Sequence, residues 1–103
     1  MAKYIIDILQ VQLMVVLSWG FHSPVEIENG LMFKVNGFLH KGWVKVLYNQ
    51  GTDLFDITLL DIKQNITKKI EGIYFDDLVE VIDSNIERVE NYEARVKQEY
   101  SLL

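Results

Sequence analysis

Cysteine is absent from this chain, and proline occurs only once. Without thiols the protein has no disulfide, no thiolate metal site and no cysteine nucleophile, so a packed core must provide its stability. Long apolar runs are also missing, whereas a membrane-spanning helix needs about 20 consecutive apolar residues. Lys3 precedes an apolar stretch, as in an export signal, but Asp7 and Gln10 interrupt that stretch. We therefore expect a cytoplasmic protein that does not enter a membrane.

Signatures of catalysis and of cofactor binding are missing as well. The glycines form neither a dinucleotide-binding nor a phosphate-binding loop, and no serine lies in a nucleophile elbow. His22 with Glu26 and Glu28 offers nitrogen and oxygen ligands, but their spacing matches no known metal site. The sequence thus predicts no catalytic residue, no metal and no cofactor, and it favours a protein that is not an enzyme.

The chain does contain enough apolar material for one core. It has 103 residues, of which 50% are hydrophobic and 24% are charged. That balance is typical of globular rather than disordered chains, and the length is common for a single domain. Because no low-complexity tract or linker divides the sequence, residues 1–103 are predicted to form one domain.

Charge is distributed unevenly along the chain, whose net charge is −5. Residues 1–30 carry one base and three acids, residues 31–70 six bases and three acids, and residues 71–103 three bases and nine acids. The three parts therefore contribute −2, +3 and −6. The basic middle and the acidic C-terminal part are expected to attract each other within the fold. Nucleic acid is not an expected partner of so acidic a chain.

The N-terminal part begins with helical spacing and then changes character. From Ala2 to about Val11, apolar residues form the wide face of a short helix. The continuous apolar run Leu13–Leu17 fits either a buried strand or a further piece of helix. We favour a strand, because Val15 and Val16 are β-branched.

The middle of the chain has the turn and alternation signals of an antiparallel sheet. Asn29-Gly30 and Asn36-Gly37 are Asn-Gly pairs, which favour tight hairpin turns because both central residues need positive φ. Pro24 biases the preceding Ser23 toward an extended conformation. The predicted strands are Val25–Glu28, Leu31–Val35, Phe38–Tyr48, Leu54–Ile62 and Ile66–Glu71.

After Gly72 the apolar period becomes that of an α-helix. Asp77 and Glu80 have the spacing of a capping box at its beginning. The same spacing continues to residues 92, 96 and 100, so either the helix continues or a second short helix begins there. The apolar stripe is formed by Phe75, Leu78, Val79, Ile82, Ile86 and Val89.

These elements together predict an α+β fold. It consists of an antiparallel β-meander of four to five strands, flanked by an N-terminal helix and an amphipathic C-terminal helix.

Two groups of residues are candidates for an interaction surface. Trp19, Phe21 and His22 precede the proline in a segment that either presents its aromatic rings to a partner or tucks them under the sheet. Acids of the C-terminal helix form the second group, on the face predicted to lie opposite the apolar stripe. These acids are Glu80, Asp83 and Glu87.

One pattern extends over most of the chain. The segment Trp19–Asp56 contains two Asn-Gly pairs and the stretch Phe38–Trp43, and Tyr74–Leu78 follows later in the sequence. In this pattern the chain resembles small proteins without an assigned activity that are encoded by gut bacteria of the Bacteroides type, often in prophage or mobile-element regions. The resemblance covers most of the chain but carries no catalytic motif. It implies an accessory protein of a bacterium or of its mobile element.

Three functional hypotheses follow from the sequence. The first is a non-enzymatic protein-interaction module, either a homodimer or a factor that binds another protein. The second is an acidic mimic of nucleic acid, whose helix acids would occupy the site of a DNA-binding protein. The third is a small ligand-binding or enzymatic domain with a pocket between helix and sheet.

Overall fold

The computed structural model describes residues 1–87, and these residues form the α+β fold that the sequence predicts. A 3₁₀ turn, Phe75–Asp77, leads directly into the last described helix. The helices are α1 (Ala2–Gln10), α2 (Leu13–Ser18) and α3 (Leu78–Ile86), and the strands are β1 (His22–Ile27), β2 (Gly30–Asn36), β3 (Lys41–Asn49), β4 (Leu54–Leu60) and β5 (Ile66–Ile73).

The sheet is an antiparallel meander in which the strands lie side by side in chain order. Alternate residues of β2, β3 and β4 are buried on one face, as the period of two requires. The core lies between that face and the three helices, which bury Ile5, Val16 and Ile82 against it. The buried sheet residues include Leu31, Phe33, Val35, Val44, Val46, Phe55, Ile57 and Leu59.

The run Leu13–Leu17 is helical, so the strand that we favoured there is wrong. The backbone of Gln12 leaves helical geometry at φ −123° and ψ 54°, which ends α1 and lets α2 begin in a new direction. The N–H of Val16 then donates to the carbonyl of Gln12 at 3.1 Å, closing a helical turn. Only Val16 of α2 is fully buried. A strand inside the sheet would have buried more side chains of this run.

Both Asn-Gly pairs lie at hairpins, but neither forms the central pair of a two-residue turn. In the β1–β2 hairpin Ile27 is paired with Gly30, so the loop is Glu28-Asn29, with Asn29 at φ 57°. In the β2–β3 hairpin Asn36 is paired with Lys41, which leaves a four-residue loop closed by a hydrogen bond from Gly37 N–H to the His40 carbonyl. The predicted β3 therefore begins too early, at Phe38.

Two local predictions fail for reasons of backbone geometry. Ser23 is not extended before the proline: it has φ 54°, in a bulge where the β1–β2 register shifts between His22 and Val25. At the beginning of α3, Asp77 is the N-terminal cap residue, but its side chain makes no capping hydrogen bond. The 3₁₀ turn already supplies the preceding turn of helix, so the capping box does not form.

The C-terminal end of α3 lies against the β2–β3 loop. The N–H of Leu39 donates to the carbonyl of Ile86 at 2.7 Å. Gly37 permits this approach, because a Cβ at that position would overlap the Ile86 carbonyl oxygen and lie 2.8 Å from Oε2 of Glu87. The predicted continuation of the helix through Val89, Tyr92, Val96 and Tyr100 lies outside the described residues.

We predict that Gly37→Ala lowers the free energy of unfolding by about 1–3 kcal/mol, because the added methyl group must push α3 away from the loop. Urea denaturation followed by circular dichroism measures this change. Gly51→Ala is the control, since its Cβ would meet only the side-chain oxygen of Asn49, at 3.3 Å. An equal effect of the two substitutions would contradict the proposed contact.

Candidate interaction surfaces

The aromatic segment before the proline is mostly tucked into the protein. Trp19 is 0% exposed, and its ring stacks on Phe33 with the ring centroids 6.4 Å apart. Phe21 is half-buried, and the centroids of its ring and of the Phe33 ring are 4.6 Å apart. His22 is exposed, with Nδ1 2.8 Å from the Gly20 carbonyl oxygen. The sequence left two arrangements open, aromatic rings presented to a partner or rings buried under the sheet. Trp19 adopts the buried arrangement.

Trp19 also joins the first half of the chain to the last described helix. Its indole N–H donates to Oδ1 of Asp83 at 2.9 Å, and this hydrogen bond is buried. Its carbonyl oxygen accepts the N–H of Asn36, at the end of β2, at 2.7 Å. Gly20 follows at φ 70°, the left-handed geometry that commonly ends a helix, and turns the chain toward β1.

The three helix acids do not share one solvent-exposed face. Glu80 is exposed, whereas Asp83 is only 9% exposed and accepts the Trp19 indole. The prediction that Asp83 lies opposite the apolar stripe is therefore wrong. The helical spacing contains a signal for the burial of Asp83, because Val79, Asp83 and Ile86 stand at i, i+4 and i+7 on one face of the helix.

Glu87 lies where α3 ends beside the β2–β3 loop. Its Oε2 accepts the N–H of Phe38 at 3.2 Å. Burial raises the pKa of the Glu87 carboxyl above its ordinary value, the hydrogen bond from Phe38 opposes this, and the nearby charge of Asp83 adds to the rise. Glu87 thus takes part in local contacts of the fold, and the predicted acidic surface is reduced chiefly to Glu80.

An apolar ridge lies on the outer side of α2. We call Leu13, Met14 and Leu17 the α2 ridge; their exposed fractions are 50%, 80% and 54%. Leu13 and Leu17 are four residues apart, and Met14 and Leu17 three apart, so all three lie on one face of the helix. Large exposed apolar groups that adjoin one another often mark an interaction site.

A groove runs between α1 and the beginning of α3. Its first depression has a volume of about 360 Å³ and includes the exposed Asp7 and Asp76 in its lining. A second depression of about 410 Å³ adjoins it and shares Tyr4 and Phe75 with it. We call the two depressions together the α1–α3 groove. The apolar side chains of the first depression are Tyr4, Ile8, Val11, Phe75 and Val79.

A shallow basin of about 720 Å³ lies on the sheet face opposite the core, over Met32, Lys45 and Leu47. Two of its polar side chains are already engaged in local hydrogen bonds. Oδ1 of Asp56 accepts the N–H of Gly72 at 3.0 Å, and Oδ1 of Asn49 accepts the N–H of Gly51 at 2.9 Å. The basin therefore offers fewer polar groups to a ligand than its lining suggests.

Within residues 1–87, no group of three or more histidine, aspartate or glutamate side chains is placed to hold a metal ion. None of the helices in this range has the length and apolar character needed to cross a membrane. This part of the chain is an α+β meander with two exposed apolar surfaces, the α2 ridge and the α1–α3 groove. Comparison with protein families, with curated proteins and with solved structures found no match.

We predict that Asp83→Ala lowers the free energy of unfolding by about 1–3 kcal/mol, because it leaves the buried indole N–H of Trp19 without its acceptor. Asp83→Asn is the matched control, since its amide oxygen can still accept that hydrogen bond. Urea denaturation should show a smaller loss for asparagine than for alanine. Equal losses would mean that the indole hydrogen bond contributes little.

Proposed function

We propose that this chain is a non-enzymatic protein-interaction module that forms a homodimer through the α2 ridge. The observation that carries the proposal is the ridge itself, three large apolar side chains that are each at least half exposed. The resemblance to small proteins of gut bacteria supports the proposal that the chain is an accessory protein of a bacterium or of its mobile element.

The absence of charge from the sequence segment that contains the ridge favours a second copy of the same chain as its partner. Residues 8–21 contain no aspartate, glutamate, lysine or arginine, although the chain as a whole carries a net charge of −5. A two-fold contact brings a surface patch against the same patch of the other copy. Where the patch is uncharged, two acidic molecules can meet without burying like charges.

The size of the ridge limits the affinity that we expect. Three side chains supply an apolar patch of a few hundred Å² at most, whereas a stable interface buries about 800 Å² on each partner. The dimer is therefore expected to be weak and to depend on protein concentration.

The acidic-mimic hypothesis has less support. It needs Glu80, Asp83 and Glu87 to present charge together, but Asp83 binds the buried indole and Glu87 binds the β2–β3 loop. A ligand-binding or enzymatic role also has less support, because two of the polar side chains that line the sheet basin, Asp56 and Asn49, are engaged in local hydrogen bonds.

We predict that the full chain sediments as an equilibrium of monomer and dimer, with masses of 12.0 kDa and twice that value. Met14→Glu should weaken the dimer on the order of a hundredfold, because it removes an apolar contact from each copy and places two like charges in the interface. Sedimentation equilibrium over a series of protein concentrations measures the dimer dissociation constants of the wild type and of the Met14→Glu variant.

Ile62→Glu is the matched control, because Ile62 is 76% exposed and belongs to the β4–β5 loop rather than to α2. It should leave the dimer constant unchanged. A wild-type chain that stays at 12.0 kDa at the highest concentrations would sink the proposal. So would a Met14→Glu variant that dimerises like the wild type. If residues 88–103 cover the ridge instead, the wild type is monomeric and Met14→Glu lowers its stability.

A further inference from the structure

The α1–α3 groove follows α1 over a length similar to that of a short helix. The two depressions share the side chains Tyr4 and Phe75, so they adjoin and form one groove. Its lining includes Met1 and Val11, which cap the two ends of α1 and are about 15 Å apart at the rise of an α-helix. Three turns of a bound helix span a similar length.

Two aromatic side chains at the centre of the groove are incompletely buried. Tyr4 is 48% exposed and Phe75 is 57% exposed. Tyr4 also stacks on Phe55, with the ring centroids 6.3 Å apart, so its ring is held in place from below. Aromatic groups that are both exposed and held in position are typical anchors of protein interfaces.

The polar margin of the groove carries charge of one sign. Asp7 and Asp76 line the first depression, and Asp53 lines the second. The carboxylate of Asp53 accepts the hydroxyl of Tyr48, and this hydrogen bond raises the pKa of the tyrosine. Among the described residues, neither depression is lined by a lysine or an arginine.

An apolar floor with an acidic margin complements a helix that has apolar residues on one face and positive charges beside them. Apolar residues at i, i+3 or i+4 and i+7 would enter the two depressions in turn. Lysine or arginine side chains on the flanks would then lie near Asp7, Asp53 and Asp76. The phosphates of a nucleic acid would be repelled by the same carboxylates.

We propose that the α1–α3 groove binds a basic amphipathic helix of a partner protein. The proposal does not depend on the homodimer, because the lining of the groove does not include the α2 ridge residues Leu13, Met14 and Leu17.

The test uses fluorescence anisotropy of labelled synthetic helices with the full chain. The first peptide has 14 residues, with leucines at amphipathic spacing and lysines between them. A second has glutamate in place of lysine, and a third has the composition of the first with the leucines scattered. We expect the first to bind with a dissociation constant at least tenfold lower than the other two, because only it matches both the floor and the margin.

Protein variants then locate the binding site. Asp7→Lys with Asp76→Lys should weaken binding of the first peptide at least tenfold, and Phe75→Ala should do so without removing charge. The matched control for charge is Glu26→Lys with Glu28→Lys, two exposed acids on the β1–β2 hairpin. Each pair of substitutions changes the net charge from −5 to −1. Ile62→Ala controls for the loss of an exposed apolar group.

The proposal is overturned if the first and third peptides bind equally, because the attraction then depends on charge alone. It is also overturned if the two charge-reversed variants weaken binding to the same extent, since the site is then not the groove. A labelled single-stranded oligonucleotide that binds the wild type and loses affinity in Phe75→Ala would assign the groove to nucleic acid instead.

Discussion

The buried hydrogen bond from the Trp19 indole to Asp83 determines how the parts of this protein are joined. Through its side chain Trp19 holds α3, and through its carbonyl oxygen it holds Asn36 at the end of β2. Three elements that are distant in sequence therefore meet at one residue. A buried donor without an acceptor costs about 1–3 kcal/mol, a large part of the 5–15 kcal/mol by which a domain is stable.

The surfaces proposed for interaction follow from this arrangement. Because Trp19 fixes the C-terminal end of α2 and Gln12 breaks the helix before it, this short helix buries only Val16 fully against the core. Val15 is partly buried beside it. The remaining large side chains of α2 stay outside and form the ridge. On the other side, α1 buries Ile5 and Leu9 and leaves Tyr4 and Ile8 toward α3, which creates the groove.

Much of the fold was predictable because local signals and tertiary structure agree. The period of two in β4 and the helical period after Gly72 both predict the observed elements. The run Leu13–Leu17 was not predictable, since a short apolar run fits both structures until its burial is known. The Asn-Gly pairs indicated hairpins, but the exact loop depends on strand register, which is set by core packing rather than by the turn alone.

The candidate surfaces were harder to predict than the fold. We expected Asp83 to lie in solvent because acidic side chains are usually exposed. Its burial involves a hydrogen bond from a tryptophan 64 positions earlier, a pairing that helical spacing alone does not predict. The ridge and the groove depend on which apolar residues the core does not use, and a single sequence does not reveal that.

The two surfaces differ in chemistry, and this difference bears on how they would work together. The ridge belongs to an uncharged segment and suits an identical copy, whereas the groove has an acidic margin and suits a basic partner. If two copies pair through the ridge, the particle carries two grooves. A partner with two basic helices would then bind the second groove at a high effective concentration, so a weak dimer would still favour bivalent over single-helix partners.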